Sequence, residues 1–223
     1  MSAAADRDPA QVRAMFARIA RPYDLVNGLC SLGIDRYWRR RLVAGVSGRK
    51  VLDLATGSGK VALLLQRRGH AVTGMDFCAP MLELARKKGV RHLRQGDALA
   101  MPFADGEFDA VTIAFGFRNF ADHERALREI RRVLKPGGAL HILEFSNPAP
   151  WLAGFYYFYL SRVMPWLAGL ISRNPQAYDY LANTVERFPA AADLAARLSA
   201  AGVREVTWRK YTFGIVAIHR GEF

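Results

Sequence analysis

Cysteine occurs only twice in 223 residues, at Cys30 and Cys78, with no Cys-x-x-Cys pair and no His/Cys ligand spacing. That argues against a disulfide framework and a structural zinc, leaves no metal site to expect, and suits a reducing cytoplasm. The opening MSAAADRDPAQVRAMF lacks the apolar run of a secretory signal. The most apolar stretch, WLAGFYYFYLSRVMPWLAGLI over 151–171, carries Arg162 and Pro165 near its middle. A spanning helix needs about 20 predominantly apolar residues, so no membrane span is expected. Internal repeats, low-complexity linkers, a helix-turn-helix signature and an aromatic-studded RNA-binding motif are all missing, and no nucleic-acid partner is expected. Acid is the scarcer charge: 20 Asp and Glu against 32 Lys and Arg leave a net charge of +12. Such a field attracts nucleic acid, anionic lipid or acidic substrates without choosing among them. A sequence that is simply Arg-rich all over explains it equally well.

What is present suffices for a soluble globular domain with a sizeable core or a core plus a cap: the hydrophobic fraction is 51% and the mean hydropathy −0.01. Residues 10–44 read as helical pieces broken by Pro22, Gly28 and Gly33. From 50 onward the rhythm becomes strand, loop, helix. Strands are expected at 50–54, 71–75, 90–94, 108–114 and 139–145, and helices at 60–68, 80–88 and 123–134, with Asp122 as a cap and Pro136-Gly137-Gly138 as the stop. A helix over 191–201 and an antiparallel hairpin over 205–210 and 213–219 close the chain. The alternation predicts an α/β fold, a doubly wound, mostly parallel, seven-stranded Rossmann-like sheet with a C-terminal antiparallel hairpin and a helical cap. The organisation read from it is an N-terminal helical segment (1–48), a cofactor-binding core (49–147), an aromatic-rich cap insertion (148–190) and a closing helix and hairpin (191–223).

The stretch VLDLATGSGK, 51–60, asks which ligand its glycines hold. A triphosphate loop needs G-x-x-x-x-G-K-[ST], but position 54 is Leu54 and the magnesium-binding hydroxyl at 61 is Val61. Gly57-Ser58-Gly59-Lys60-Val61-Ala62 satisfies G-x-G-x-x-G/A after a strand, a match that fits NAD or S-adenosylmethionine. Asp53 weighs on the choice. A carboxylate at the strand mouth opposes a pyrophosphate but suits the ammonium of a methionine moiety; capping of local backbone N–H groups is the bland alternative. Asp76 ends the second strand, where an acid meets ribose hydroxyls, and Asp97, after Gly96, stands where it can accept from an adenine amino group. All three fall at the carboxyl edge, where open α/β sheets bind ligands. Ala55, Gly57, Ser58 and Gly59 in the loop, Phe77 beside Asp76, Ala98 beside Asp97, and Ala114 at the end of the fourth strand complete the expected S-adenosylmethionine set.

From about Val12 to the C-terminus the chain resembles class I S-adenosylmethionine-dependent methyltransferases, and more narrowly the ubiquinone/menaquinone biosynthesis C-methyltransferase family. Tyr23-Asp24-Leu25-Val26-Asn27 with Ser31 and Trp38, RVLKPGGALHILEFS over 132–146, TIAFGFRNF over 112–120 and TFGIVAIHRG over 212–221 carry the resemblance. There are departures. The family's usual Gly-Gly-Thr-Gly-Asp is Thr56-Gly57-Ser58-Gly59-Lys60, its His in the first signature is Asp35, and its Tyr-Leu-x-Glu-Ser is Tyr180-Leu181-Ala182-Asn183-Thr184.

The resemblance implies methyl transfer to a ring carbon of a prenylated quinol, benzoquinol or naphthoquinol, with demethylmenaquinol favoured. The changed cap leaves open another phenolic or polyketide acceptor. A non-catalytic nucleotide- or nucleic-acid-binding protein stands as the rival from outside enzymology. Such a transfer needs carbon and methyl held in line and help for the ring hydroxyl in losing its proton. Arg118 and Asn119 are the candidates near the strand-four mouth, Arg118 as a charge-assisted donor to a phenolate. Tyr23 and Asp24 close the site from the N-terminal helices, Asp24 as a base or as a helix-start cap. Asn27, Phe117, Tyr156, Tyr180, Asn183 and His219 are the substrate-side candidates, although a His in a strand reads first as a satisfied structural residue. The aromatics of 155–159 line a tail channel, rest on a membrane surface, or form cap core. Arg36, Arg39, Arg40 and Arg41 face anionic lipid or solvent. Transient contact with the inner face of the membrane and homo-oligomerisation stay open.

Overall fold

A computed structural model describes residues 9–20, 23–166, 169, 180 and 183–223. Three helices lead: α1 (Pro9–Ile19), α2 (Tyr23–Cys30) and α3 (Asp35–Ala44). The alternating core follows as β1 (Lys50–Leu54), α4 (Lys60–Arg67), β2 (Ala71–Asp76), α5 (Ala79–Lys87), β3 (His92–Gln95), β4 (Phe108–Ala114), α6 (His123–Val133) and β5 (Leu134–Phe145). Then come α7 (Pro150–Phe158) with a π-helical turn (Tyr159–Val163), α8 (Ala191–Ala200), β6 (Arg204–Tyr211) and β7 (Val216–Glu222). The seven strands lie in the order β3-β2-β1-β4-β5-β7-β6. Neighbours from β3 to β5 are parallel, and β7 is antiparallel to both β5 and β6. This is the expected sheet.

Side-chain alternation sorts the strands onto two faces. Leu52, Leu54, Val111, Ile113, Leu140 and Ile142 pack against α6 and α8. Val51, Val72, Ala110 and Leu143 pack against Trp38 and Leu42 of α3, Val61 and Leu65 of α4, and Ala85 of α5. Helix α6 shows how sequence sets this: the Asp122 side chain accepts from the Arg125 N–H at 2.9 Å, and Ala126, Leu127, Ile130 and Val133 fall on one buried stripe. Burying a side chain such as Ile130 contributes about 1.5–3 kcal/mol. A third apolar cluster joins Ile19 and Val26 of the N-terminal helices to Tyr156, Leu160, Met164 and Val185, over the carboxyl edge of the sheet.

Three stretches depart from expectation by more than one residue. β3 begins at His92, because the Val90 N–H bonds back to the Ala85 carbonyl at 3.1 Å and finishes α5 instead. Pro136-Gly137-Gly138 does not stop α6. The helix ends at Val133, β5 starts at Leu134, and the three residues fall where the β4–β5 register shifts, with Gly137 at φ +75° donating to the Phe223 carbonyl. β7 begins at Val216, because Thr212, Phe213 and Gly214 all adopt positive φ and make the hairpin turn.

Candidate active site

The loop after β1 is held by buried carboxylates. Asp53, 1% exposed, has one oxygen accepting from Thr56 Oγ1 at 2.5 Å and the Ala62 N–H at 3.1 Å, and the other from Thr112 Oγ1 at 2.8 Å. Asp76 accepts from the Gly57 N–H at 2.8 Å and the Cys78 N–H at 2.9 Å. Burial pushes both up to about 6 against the pull of these donors. Gly59 precedes α4 at φ +80°, and an added Cβ would stand 2.6 Å from Val90 Cγ2 and 2.9 Å from Ala85 Cβ. Only glycine fits there. Ala55 and Phe115 also take positive φ, where the ends of β1 and β4 approach so closely that a Cβ on Gly116 would lie 2.5 Å from the Ala55 Cβ.

Beside this loop opens a cavity of about 670 Å³ at the carboxyl edge. Of the residues expected to hold the cofactor, Ala55, Gly57, Asp76, Phe77, Asp97, Ala98 and Ala114 line it. Asn119 lines it too, and α1 closes it with Ala10, Arg13 and Phe16. Asp53, Ser58 and Gly59 do not line it. Asp53 does what the bland alternative described: alternation turns it toward α4, where it serves the N–H that Gly59, lacking a side chain, cannot cap. Ser58 turns its hydroxyl to Asp24 at 2.7 Å, and Gly59 is walled off by α5.

A second cavity, about 340 Å³, is mostly apolar. Phe16 and Phe115 line both cavities, so the two share a wall. Of the substrate-side candidates Asn27, Tyr156 and Tyr180 line the second one, together with Arg118 from the catalytic candidates. Arg118 sits in a 3-10 turn (Phe117–Asn119) and is buried, with Nη1 donating to Glu144 Oε1 at 2.9 Å and to the Phe115 carbonyl, and its guanidinium 5.2 Å from the Phe145 ring centre. Glu144, fully buried, also accepts from the Arg118 N–H at 3.2 Å. The Tyr180 hydroxyl donates to Asn119 Oδ1 at 3.2 Å, linking the second cavity to the first. The Tyr156 hydroxyl is buried with no hydrogen-bond partner among the described residues, and burial raises its pKa.

The remaining candidates lie elsewhere. Phe117 is core, stacked on His123 with ring centres 4.6 Å apart. His219 is buried with Nε2 2.8 Å from the Ala191 carbonyl, a structural histidine tying β7 to α8. Asn183 is exposed and lines neither cavity. The side chain of Tyr23 lies outside the described residues, as do Leu181 and Ala182. Asp24, in the first turn of α2, lines neither cavity. It lies 3.4 Å from Lys60 Nζ and also pairs with Lys88. Burial alone would raise its pKa, but Lys88, Ser58 and Lys60 together hold it below the usual carboxylate value. Lys60 meets Asp35 at 3.1 Å as well, and Arg39 approaches Asp35 at 3.4 Å.

Sequence reasoning missed Glu144, Phe115, Phe16 and Arg13. Glu144 had a signal: an acid inside the continuous apolar run HILEF requires a buried cationic partner. Phe16 and Arg13 had none, since only the fold brings α1 across the sheet edge.

The comparisons agree with this geometry. The model of the ubiE/COQ5 methyltransferase family matches residues 4–222. A demethylmenaquinone methyltransferase of Thermus thermophilus is 52% identical over 220 residues, spanning 93% of this chain and 99% of that protein. Demethylmenaquinone methyltransferases of Mycolicibacterium vanbaalenii and Mycobacterium tuberculosis are each 46% identical, over 97% and 98% of this chain and 96% and 95% of theirs. Among solved structures, an S-adenosylmethionine-dependent methyltransferase of Thermotoga maritima, described as a possible histamine N-methyltransferase, superposes with a TM-score of 0.71 at 21% identity, over 94% of this chain and 98% of that one. The [4+2]-cyclase SpnF superposes with a TM-score of 0.68 at 19% identity, over 95% and 94%. These two likenesses speak for the fold alone. The match over nearly the whole chain, on a sheet whose carboxyl edge carries the paired cavities, establishes that this chain is a methyltransferase and belongs to the ubiE/COQ5 family.

Proposed function

We propose that the protein methylates a ring carbon of demethylmenaquinol in menaquinone biosynthesis, with S-adenosylmethionine as the methyl donor. The observation that supports this reading is the shared wall: a mostly apolar cavity abuts, through Phe16 and Phe115, a more polar one bordered by a glycine-rich loop and two strand-end carboxylates. The polar cavity fits the donor by its chemistry, with Asp76 and Asp97 as acceptors for ribose and adenine donors and Gly57 at φ +54° leaving no side chain in the way. Bound there, S-adenosylmethionine supplies an activated methyl group. Asp53 organises the loop from within rather than touching the ligand.

The protein's own work is orientation and charge. The ring lies in the apolar cavity, and the channel excludes water. The ring hydroxyl gives its proton to water before the ring is enclosed; Arg118 then faces and stabilises the phenolate oxygen, while Glu144 fixes the guanidinium. The Tyr156 phenol donates to the ring's other oxygen, which gives that hydroxyl the partner it lacks. Asn119 and Tyr180 set the distance between the two ligands. Asn27 lines the tail side.

The prenyl tail leaves through an apolar rim in which Leu32 is 84%, Trp151 71% and Phe155 70% exposed. No helix among the described residues is long and apolar enough to cross a membrane. The rim instead rests on the cytoplasmic membrane surface, with the exposed Arg36 and Arg40 of α3 beside it. Residues 150–166 and the N-terminal helices act together as the cap over the site. Labelled S-adenosylmethionine offered with reduced short-chain demethylmenaquinol, desmethyl benzoquinol and a simple phenol tests the assignment. Turnover of the naphthoquinol, lost in Arg118→Ala, is expected. Turnover of only another acceptor would refute it.

A further inference from the structure

We propose that the cleft between α3 and the β6–β7 hairpin, away from both cavities, is an anion site that takes a phosphate group. Strand register puts its components on one face of the sheet: His141 of β5 pairs with Arg220 of β7, Arg220 with Thr207 of β6, and Ile218 with Arg209. α3 covers only part of that face, because its Trp38 and Leu42 turn toward the central strands. What remains open is a cleft of about 350 Å³.

Arg41, Arg209 and Arg220 border it, and no acidic side chain among the described residues lines it. Glu222 approaches Arg220 at 3.4 Å from outside the lining, so surplus positive charge stays with the cleft. Two of the guanidinium groups are already placed: those of Arg41 and Arg209 stand 5.9 and 5.7 Å from the ring centre of Tyr211. At the floor lies His141, 1% exposed, with Nε2 lacking a hydrogen-bond partner among the described residues. Buried polar nitrogens are rarely left so. Burial and the neighbouring Arg220 keep the imidazole neutral, and a neutral imidazole still offers one N–H to an oxyanion. The lining thus offers three guanidinium donors and one ring nitrogen, the donor-rich composition that phosphate oxygens accept from.

The phosphate has two sources. Tyr211 is followed by Thr212, which accepts from Trp38 Nε1 at 2.8 Å, and by Phe213, which packs edge-on against Trp151 of the apolar rim. The cleft therefore adjoins a surface suited to lipid, and an anionic phospholipid headgroup is one source. Free phosphate or a soluble phosphate ester is the other.

Amide and Trp208 indole shifts, followed by NMR at constant ionic strength, test the site with inorganic phosphate, with phosphatidylglycerol bicelles and with phosphatidylcholine bicelles. A saturable response of residues 207–211 to inorganic phosphate assigns the site to free phosphate groups. A response confined to phosphatidylglycerol assigns it to a headgroup. In either case Arg41→Gln with Arg209→Gln weakens binding about tenfold or more. Arg67→Gln, which removes the same charge from the exposed end of α4, away from the cleft and the apolar rim, leaves affinity unchanged. Arg209→Gln alone replaces the double variant should that one unfold by circular dichroism. No saturable response to any probe, or an Arg67→Gln effect equal to that of the Arg41→Gln, Arg209→Gln double variant, overturns the proposal.

Discussion

Glu144→Gln isolates the pair on which the proposed chemistry rests. Its carboxylate is fully buried, and the Arg118 side chain it meets at 2.9 Å is 6% exposed, so solvent screens neither charge. Removing the negative partner leaves a guanidinium uncompensated in the interior, which costs about 3–5 kcal/mol. Domains of this kind have roughly 5–15 kcal/mol in total, so urea unfolding will show a large fall in midpoint with an unchanged slope. Because a chain of this size loses about 2–4 °C per kcal/mol, the melting temperature falls by about 6–20 °C. Arg118→Met with Glu144→Leu removes both charges and keeps the volume, and such replacements are often neutral or stabilising, by about 1–4 kcal/mol. The double variant is therefore expected to be more stable than Glu144→Gln while transferring no methyl groups. A Glu144→Gln variant within about 1 kcal/mol of wild type, the scale of a surface pair, or a double variant less stable than the single one, would refute the reading of Arg118 as a charge held for function.

Gly59→Ala meets two obstacles, a left-handed backbone worth about 1–2 kcal/mol and a Cβ 2.6 Å from Val90 Cγ2; thermal unfolding should show Val90→Ala restoring part of the loss. Asp53 and Asp76 titrate in the folded state near 6 rather than 3.8. Raised acids favour the folded state below the unfolded pKa and lose that advantage as pH rises through the folded one. Their contribution therefore falls between pH about 4 and 6, by of order 2–3 kcal/mol each, and denaturant titrations of Asp53→Asn or Asp76→Asn should show a flatter pH dependence across that window. Tyr156→Phe should leave the melting temperature equal or higher, since the phenol has no partner among the described residues, yet lower kcat/KM for the quinol about tenfold through the lost hydrogen bond.

The strands that sequence placed best are those buried on both faces. β1 and β4 begin and end where their apolar runs do, because nothing but the central sheet can bury KVLDL and FDAVTIA. Boundaries slipped where backbone conformation overrode composition. Val90 looks like a strand residue and completes a helix end, and Phe213 looks like one and sits in a left-handed turn. Asp76 and Asp97 line the first cavity because both fall at the carboxyl edge of the sheet, where open α/β folds form their clefts. Asp53 shares that edge and does not line the cavity for a reason of parity: it alternates with Leu52 and Leu54, and its face of β1 is the one that α4 covers. Asn183 was singled out through a departure in a signature, which says nothing about the direction of a side chain.

Two other departures explain each other. The family pattern has an acid where this chain has Lys60 and a histidine where it has Asp35, and the two stand 3.1 Å apart, joining α3 to the first turn of α4. Read singly, Lys60 places a positive charge at a helix N-terminus, where the macrodipole disfavours it. Read together, Lys60 is an ion-pair partner whose charge is taken up by Asp35 and by Asp24 of α2, while Lys88 balances Asp24 from α5. The pair ties α3 to the first turn of α4 in this chain. That contact matters because α1 and α2 cover the carboxyl edge, and α1 forms one wall of the polar cavity. A chain that reversed only one of the two charges would set Asp24, Asp35 and an acid at 60 against one another beside the glycine loop. The charge balance at this junction therefore rests on Lys60 and Asp35 together rather than on either residue alone.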